Sequence, residues 1–160
     1  MATEGYCYGQ TDVPLFSTFE EEAEVVKQKL KAIPHNAVLS SPLSRCVRLA
    51  EYCGYGDELK LVDSLKELNF GEWEMKRWED LRMEEWRDNW VETPAPGGES
   101  FKDMYNRVSR LLDELRTRNY NSVKIFTHGG VINCAKIYFG QAKLESTFDR
   151  IAAYGEVVEF

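Results

Sequence analysis

Phe126-Thr127-His128-Gly129-Gly130-Val131-Ile132 reads as the end of a strand, a polar turn and the start of a helix. Residues 122–127 form the short apolar strand, and residues 130–139 continue with helical spacing. Ser40-Ser41-Pro42-Leu43-Ser44-Arg45 repeats the pattern: residues 37–39 are a buried strand candidate and residues 44–53 a helix, stopped by Gly54 and Gly56. Short apolar strands alternating with helices predict an α/β domain with a largely parallel central sheet. Ligands in such sheets sit at the carboxyl ends of strands. Ser40, Ser41 and His128 therefore share one rim, and Arg45, in the first turn of its helix, converges on them.

The rest of the chain fits around these two units as a single domain over residues 1–160. Residues 1–15, rich in Gly, Tyr, Asp and Pro, read as loop. Ser17-Thr18-Phe19-Glu20 has capping-box spacing, and Phe19, Ala23, Val26, Leu30 and Ile33 keep one helical stripe up to Pro34. Residues 59–62 are a second strand and residues 69–71 a turn. Trp78, Leu81, Glu85 and Trp86 predict a charged, aromatic-rich helix ending before Pro94, and residues 93–98 a loop. Ser100-Phe101-Lys102-Asp103 again has capping spacing and opens a long helix carrying Met104, Val108, Leu111, Leu112 and Leu115. Residues 156–160 are expected to form a last strand.

Composition narrows the class. A chain of 160 residues, 43% hydrophobic and 29% charged, is long enough to bury a substantial core. No apolar run approaches the ~20 residues of a membrane span, and no basic-then-apolar leader points to export. The net charge of −7 opposes nucleic acid, and no Lys/Arg stripe corrects it. A small anionic substrate needs only a locally positive pocket. Of the four cysteines, Cys46 and Cys53 share a helix face, but helical rise separates their Cα atoms by ~10 Å, too far for a disulfide. With no CxxC pair to suggest zinc, the expectation is reduced thiols in a cytoplasmic protein.

Several side chains could carry chemistry on the shared rim. Gly129 and Gly130 let backbone approach a ligand, and their N–H groups open a helix, an intrinsic anion site. His128 could donate to a phosphate oxygen or act as nucleophile; it could equally close the strand, with the glycines needed only for the turn. Arg45 offers a planar fork for bidentate phosphate contact, or is a first-turn surface arginine. Ser41-Pro42 reads only as a helix start. Glu67 could be a general acid if burial raises its pKa, with Glu72 and Glu74 as rivals at the same turn. Gly97-Gly98-Glu99-Ser100 is a weak phosphate-cradle signal, and the tryptophans read as packing. His35 falls at the amino end of its strand, which puts it more than ~10 Å from the rim.

Five segments in order resemble the histidine phosphatase superfamily, phosphoglycerate mutase-like branch, over essentially the whole chain. They are Tyr8 to Leu15, Ser40 to Arg45, Leu65 to Glu74 (with Leu68-Asn69-Phe70-Gly71-Glu72-Trp73 at its centre), Pro96 to Ser100, and Thr127 to Gly130. The wording of residues 7–15, with Thr18-Phe19-Glu20 after it, is similar to the α-ribazole phosphatases of cobalamin synthesis. The resemblance implies a three-layer α/β fold, a mostly parallel sheet with helices on both faces, and metal- and cofactor-free hydrolysis of a small phosphomonoester. A histidine attacks phosphorus to give a phosphohistidine, water releases phosphate, and a glutamate serves as acid and then base. Carried onto this sequence, Glu67 is the acid/base and His128 the second, charge-neutralising histidine. Arg45 is the phosphate clamp and Gly129 lies beside it. Tyr8, Gly9, Gln10 and Thr11 line the substrate side.

The resemblance also implies what to look for and not find. The family's nucleophile lies in an Arg-His motif ending a first, interior strand, and no residue of this sequence matches it. The expectation is therefore a sheet lacking that strand, impaired or absent turnover, and a homodimer or strand-exchanged oligomer. Met75 stands where a glycine often follows the Trp-Glu pair. Two alternatives remain: a non-catalytic phosphate-binding or interaction protein of the same fold, and a phosphoglycerate mutase, whose members usually carry a longer insertion.

Overall fold

The computed structural model describes residues 4–144 and 151–160. Of the expected N-terminal loop, residues 1–3 lie outside that range. β1 (Ala37–Ser40) runs down the middle of a parallel sheet, with β2 (Leu59–Leu61) on one side and β3 (Val123–Phe126) on the other. Val38 stands opposite Leu59 on one edge and Lys124 on the other. All four β1 residues are buried, as a strand paired on both edges and covered on both faces must be.

Alternate side chains leave a strand on opposite faces, and this builds the layers. Val38 and Phe126 point to Val26 and Leu30 of α1 (Phe19–Lys31) and to Cys46 and Ala50 of α2 (Ser44–Tyr52). Leu39 and Ile125 point the other way, to Met104, Val108 and Leu112 of α4 (Phe101–Thr117) and to Val131 and Cys134 of α5 (Gly129–Tyr138). The result is the three-layer α/β arrangement. A separate cluster of Cys7, Trp73, Met83 and Ala95 anchors the loops. Trp86 meets Trp73 edge-on, and Trp90 meets Phe101, so the tryptophans are packing residues.

The two capping signals diverge. At α4, Ser100 Oγ accepts from the Asp103 N–H at 3.2 Å and Asp103 Oδ2 accepts from the Ser100 N–H at 3.0 Å. At α1 the expected box does not form. The helix starts at Phe19, so Thr18 rather than Ser17 holds the N-cap position, and Thr18 is already helical (φ −82°, ψ −1°), whereas a side chain that caps needs extended backbone; Thr18 Oγ1 donates to Glu22 Oε1 instead. The single helix expected around Trp78 to Trp86 is also corrected. One 3₁₀ turn (Trp78–Asp80) and a short α3 (Glu84–Asp88) stand in its place. Between them the chain extends, so that Leu81 and Met83 reach the cluster beneath.

The last expected strand, residues 156–160, is not a strand. β1 uses only alternate backbone groups of β3: the Ser41 N–H donates to Phe126 O at 2.9 Å. The backbone groups of Val123 and Ile125 therefore face the other way, into a cavity whose far wall includes residues 151–160. A strand exists only through a hydrogen-bonded neighbour, and among the described residues none lies beside this segment. Its side chains are still used, with Val157 packed on the α1–α2 cluster and Phe160 stacked on Phe139 at 5.0 Å.

His35 precedes β1, at the end of the sheet opposite His128. Its Nε2 meets Glu58 Oε1 at 3.0 Å and its Nδ1 meets the Lys124 ammonium at 3.2 Å. No described helix is long and apolar enough to cross a membrane.

Candidate active site

β3 ends at Phe126, and two residues later His128 caps α5 with extended backbone (φ −119°, ψ 164°). The residue is only 7% exposed. Arg45 Nε donates to His128 Nδ1 at 3.2 Å. Nδ1 is therefore the acceptor nitrogen and Nε2 carries the proton, which goes to Ser41 Oγ at 2.8 Å. Burial, then the positive charges of Arg45 and Arg107, push the His128 pKa down to about 3. At neutral pH this is an uncharged imidazole with one N–H to donate. Cys46 Sγ lies against it, 3.7 Å from Nδ1 and 3.6 Å from Nε2.

Arg45 reaches back from the first turn of α2. Besides His128, its guanidinium donates to Thr11 O at 3.1 Å and to Gly9 O, and it sits 5.8 Å over the Tyr8 ring. Of its five N–H groups, one on each terminal nitrogen stays free for an anion. The 8–11 loop is itself pinned. The N–H groups of Gly9, Gln10 and Thr11 all donate to the Glu74 carboxylate, and Gln10 Nε2 donates to Glu67 O at 3.0 Å. Asp12 Oδ1 accepts from both the Ser44 N–H and its hydroxyl at the start of α2. Tyr8 OH meets Tyr154 OH at 2.8 Å.

Glu67 approaches α5 from below. Its Oε2 accepts from the Gly130 N–H at 3.1 Å, and its Oε1 from the Leu68 N–H at 2.9 Å. Burial raises its pKa; the two N–H groups and the charges of Arg45 and Arg107 oppose that without cancelling it. Gly130 is required by this approach, because a Cβ there would lie 2.3 Å from Glu67 Oε1. Arg107 of α4 holds the Glu67 main chain, donating to Ser64 O at 2.8 Å and Glu67 O at 3.0 Å while pairing with Glu99 at 2.9 Å.

Arg45, His128, Glu67, Gly129 and Tyr8 thus line one end of a single cavity of about 1360 Å³. The Gly130 N–H serves Glu67 rather than a free anion site. The N–H groups of Gly9, Gln10 and Thr11 serve Glu74, while Gly9 O and Thr11 O hold Arg45 and the Gln10 side chain reaches Glu67 O. Glu74 is no rival acid: burial lifts its pKa, but hydrogen bonds from Gly9, Thr11, Gln10 and Phe70 outweigh that and hold it low. Ser41 is the partner of His128 and not merely a helix start. Arg107 escaped sequence reading, and Glu99, read only within a weak phosphate-cradle signal, is its partner; an arginine between Met104 and Val108, on the inward stripe of α4, is the kind of misplaced charge that signals a buried pair. Among the described residues, no group of His, Cys, Asp and Glu is arranged to hold a metal ion.

The pattern of the histidine phosphatase superfamily (branch 1) matches residues 1–160. The chain belongs to that superfamily. It is 27% identical over 139 residues to the adenosylcobalamin/alpha-ribazole phosphatase of Escherichia coli (strain K12), covering 81% of this chain and 68% of that one. It is 30% identical over 134 residues to phosphoserine phosphatase 1 of Hydrogenobacter thermophilus, covering 78% of this chain and 63% of that one. Its matched span is thus about two-thirds of these relatives' length. In fold it resembles the alpha-ribazole phosphatase from Shigella flexneri, with a TM-score of 0.81 at 24% identity over 96% of this chain and 80% of that one.

Proposed function

We propose that the cavity end bounded by Arg45, His128 and Glu67 binds the phosphoryl group of a small phosphomonoester, α-ribazole 5'-phosphate being the preferred candidate. One observation carries this: the 3.2 Å contact between Arg45 and a neutral His128, in the same cavity as a carboxyl whose pKa is raised. The two free guanidinium N–H groups can take two phosphoryl oxygens, and the His128 N–H a third by turning from Ser41. Glu67, protonated, donates to the departing alkoxide oxygen; as carboxylate it then takes a proton from the attacking water. In the route the family implies, phosphorus passes from substrate oxygen to a histidine nitrogen and then to water. His128, with Nδ1 engaged and Nε2 protonated, suits the donor role and not the nucleophile's. The four buried free thiols fit a reducing compartment, the cytoplasm.

A second reading, phosphate binding with little or no turnover by this chain alone, is supported by the same chemistry. The sequence holds two histidines, and the other, His35, is tied to Glu58 and Lys124 at the far end of the sheet. Calorimetric titration with inorganic phosphate, alongside hydrolysis of p-nitrophenyl phosphate, separates the readings. Saturable binding lost in Arg45→Ala supports both. Enzyme-like turnover by this chain removes the second, and no saturable binding removes both.

A further inference from the structure

We propose that Glu74 is the positioning residue for Arg45, acting through the backbone of the loop between them. The inference rests on the phosphate-site reading and adds to it how the clamp is aimed.

The Glu74 carboxylate gathers the backbone N–H groups of three successive residues. Gly9 donates at 3.0 Å, Gln10 at 3.0 Å and Thr11 at 3.2 Å, and Phe70 adds a fourth donor at 3.1 Å. Carbonyls of the same three-residue loop, Gly9 O and Thr11 O, accept from the two terminal nitrogens of Arg45. An anion and a cation thus face each other across one short piece of main chain, and each orders the peptide groups the other needs. Arg45 and Glu74 form no direct ion pair. Freed from a carboxylate partner, the guanidinium keeps its charge available while its direction is set by two carbonyls and by His128 Nδ1.

The loop has nowhere else to settle. A Cβ at Gly9 would lie 1.8 Å from Leu68 O, so the main chain there is in direct contact with the segment that carries Glu67. Other groups near Glu74 do not replace it. Cys7 is a buried thiol whose pKa is raised to about 12 by burial and by Glu74 itself, and it brings no negative charge. Glu72 is exposed. A neutral amide in place of Glu74 has one acceptor oxygen, and its NH2 group would point at N–H donors. The carboxylate, with two oxygens and about four lone-pair sites, is the group this constellation requires.

The test is Glu74→Gln, read by 15N NMR of the imidazoles in the phosphate-free protein, with Glu72→Gln as control. His35, remote from the loop, is the internal reference. In the unmodified chain His128 stays neutral, with its Nε2–H tautomer, throughout pH 5–7, consistent with a pKa near 3. In Glu74→Gln the loop carbonyls lose their arrangement and Arg45 leaves Nδ1, so the Nδ1 resonance moves off its hydrogen-bonded position and the His128 titration shifts upward, burial still holding it below the ordinary imidazole value, while the His35 signals stay where they were. Affinity for inorganic phosphate falls about tenfold, as for one charge-assisted hydrogen bond. A folded Glu74→Gln protein with an unchanged His128 spectrum overturns the proposal. If that variant fails to fold, Glu74→Asp, which keeps the charge but falls a methylene short, must show the same shift to a smaller extent, and an unchanged His128 there overturns it equally. Absence of phosphate binding in the unmodified chain would remove the phosphate reading, whereas the imidazole signal would still decide the role of Glu74.

Discussion

Met75→Gly is expected to stabilise this protein. Met75 is the one described non-glycine residue with positive φ, at 62°, the left-handed region. It is 44% exposed, belongs to none of the apolar clusters, and donates its N–H to Cys7 O at 2.7 Å. That hydrogen bond explains why the backbone keeps the conformation despite the side chain. It ties the turn after Glu74 to the loop that Glu74 organises. Left-handed backbone costs an L-residue roughly 1–2 kcal/mol. Glycine removes that cost but frees the unfolded chain by about 0.4–1 kcal/mol, and the half-exposed thioether contributes little to offset. The net gain is about 0.5–1 kcal/mol, or about 2 °C in Tm for a domain of this size. Urea unfolding of four proteins gives the sharper check, because their order is independent of the absolute values: Gly above Asn, Asn above Met, Met above Val. Asparagine tolerates the left-handed region, and a β-branched side chain tolerates it least. A valine variant as stable as the methionine protein, or a glycine variant less stable, would refute the conformation assigned to this turn.

Three further outcomes are expected. His128 is held below its unfolded pKa, so its contribution is complete above about pH 6.5 and is lost as pH falls toward about 3. Glu67, raised, works in the opposite direction and strengthens the fold as acid protonates it. Urea midpoints from pH 7 to pH 4.5 should therefore fall less steeply in His128→Gln, and identical slopes would contradict the buried neutral imidazole. Gly130→Ala places a methyl 2.3 Å from Glu67 Oε1 and 3.1 Å from Met104 Cε. The expected cost is about 1–3 kcal/mol, with an altered Glu67 carboxyl 13C titration; a silent substitution would mean the carboxyl does not lie against α5. Finally, backbone at Val123 and Ile125 that no described residue pairs is a template for strand pairing, so sedimentation should show concentration-dependent association into dimers or strand-exchanged oligomers. A monomer at every concentration would count against it.

How much was legible in the sequence follows from the range of each interaction. Apolar runs of strand length, helical stripes, the Ser100–Asp103 cap and the Gly-Gly turn after His128 are local patterns. They determined the α/β alternation and brought Arg45 and His128 to one rim, because a parallel strand feeding a helix always delivers its carboxyl end to the same side. The local pattern left Glu67 as one of three acids and only the family resemblance singled it out, since the physical choice depends on which carboxyl the fold buries against Gly130. Only tertiary structure decided that Glu74 serves the 9–11 loop, that Ser41 accepts from His128, and that Arg107 pairs with Glu99 beneath Glu67. It also decided that residues 156–160, for all their strand-like composition, are not a strand. Glu74 and the 9–11 loop, like Ser41 and His128, are dozens of residues apart, while Arg107 and Glu99 lie close in sequence but are held by the distant Ser64 and Glu67 carbonyls; hydrogen bonds of this kind leave no periodicity in the chain that makes them.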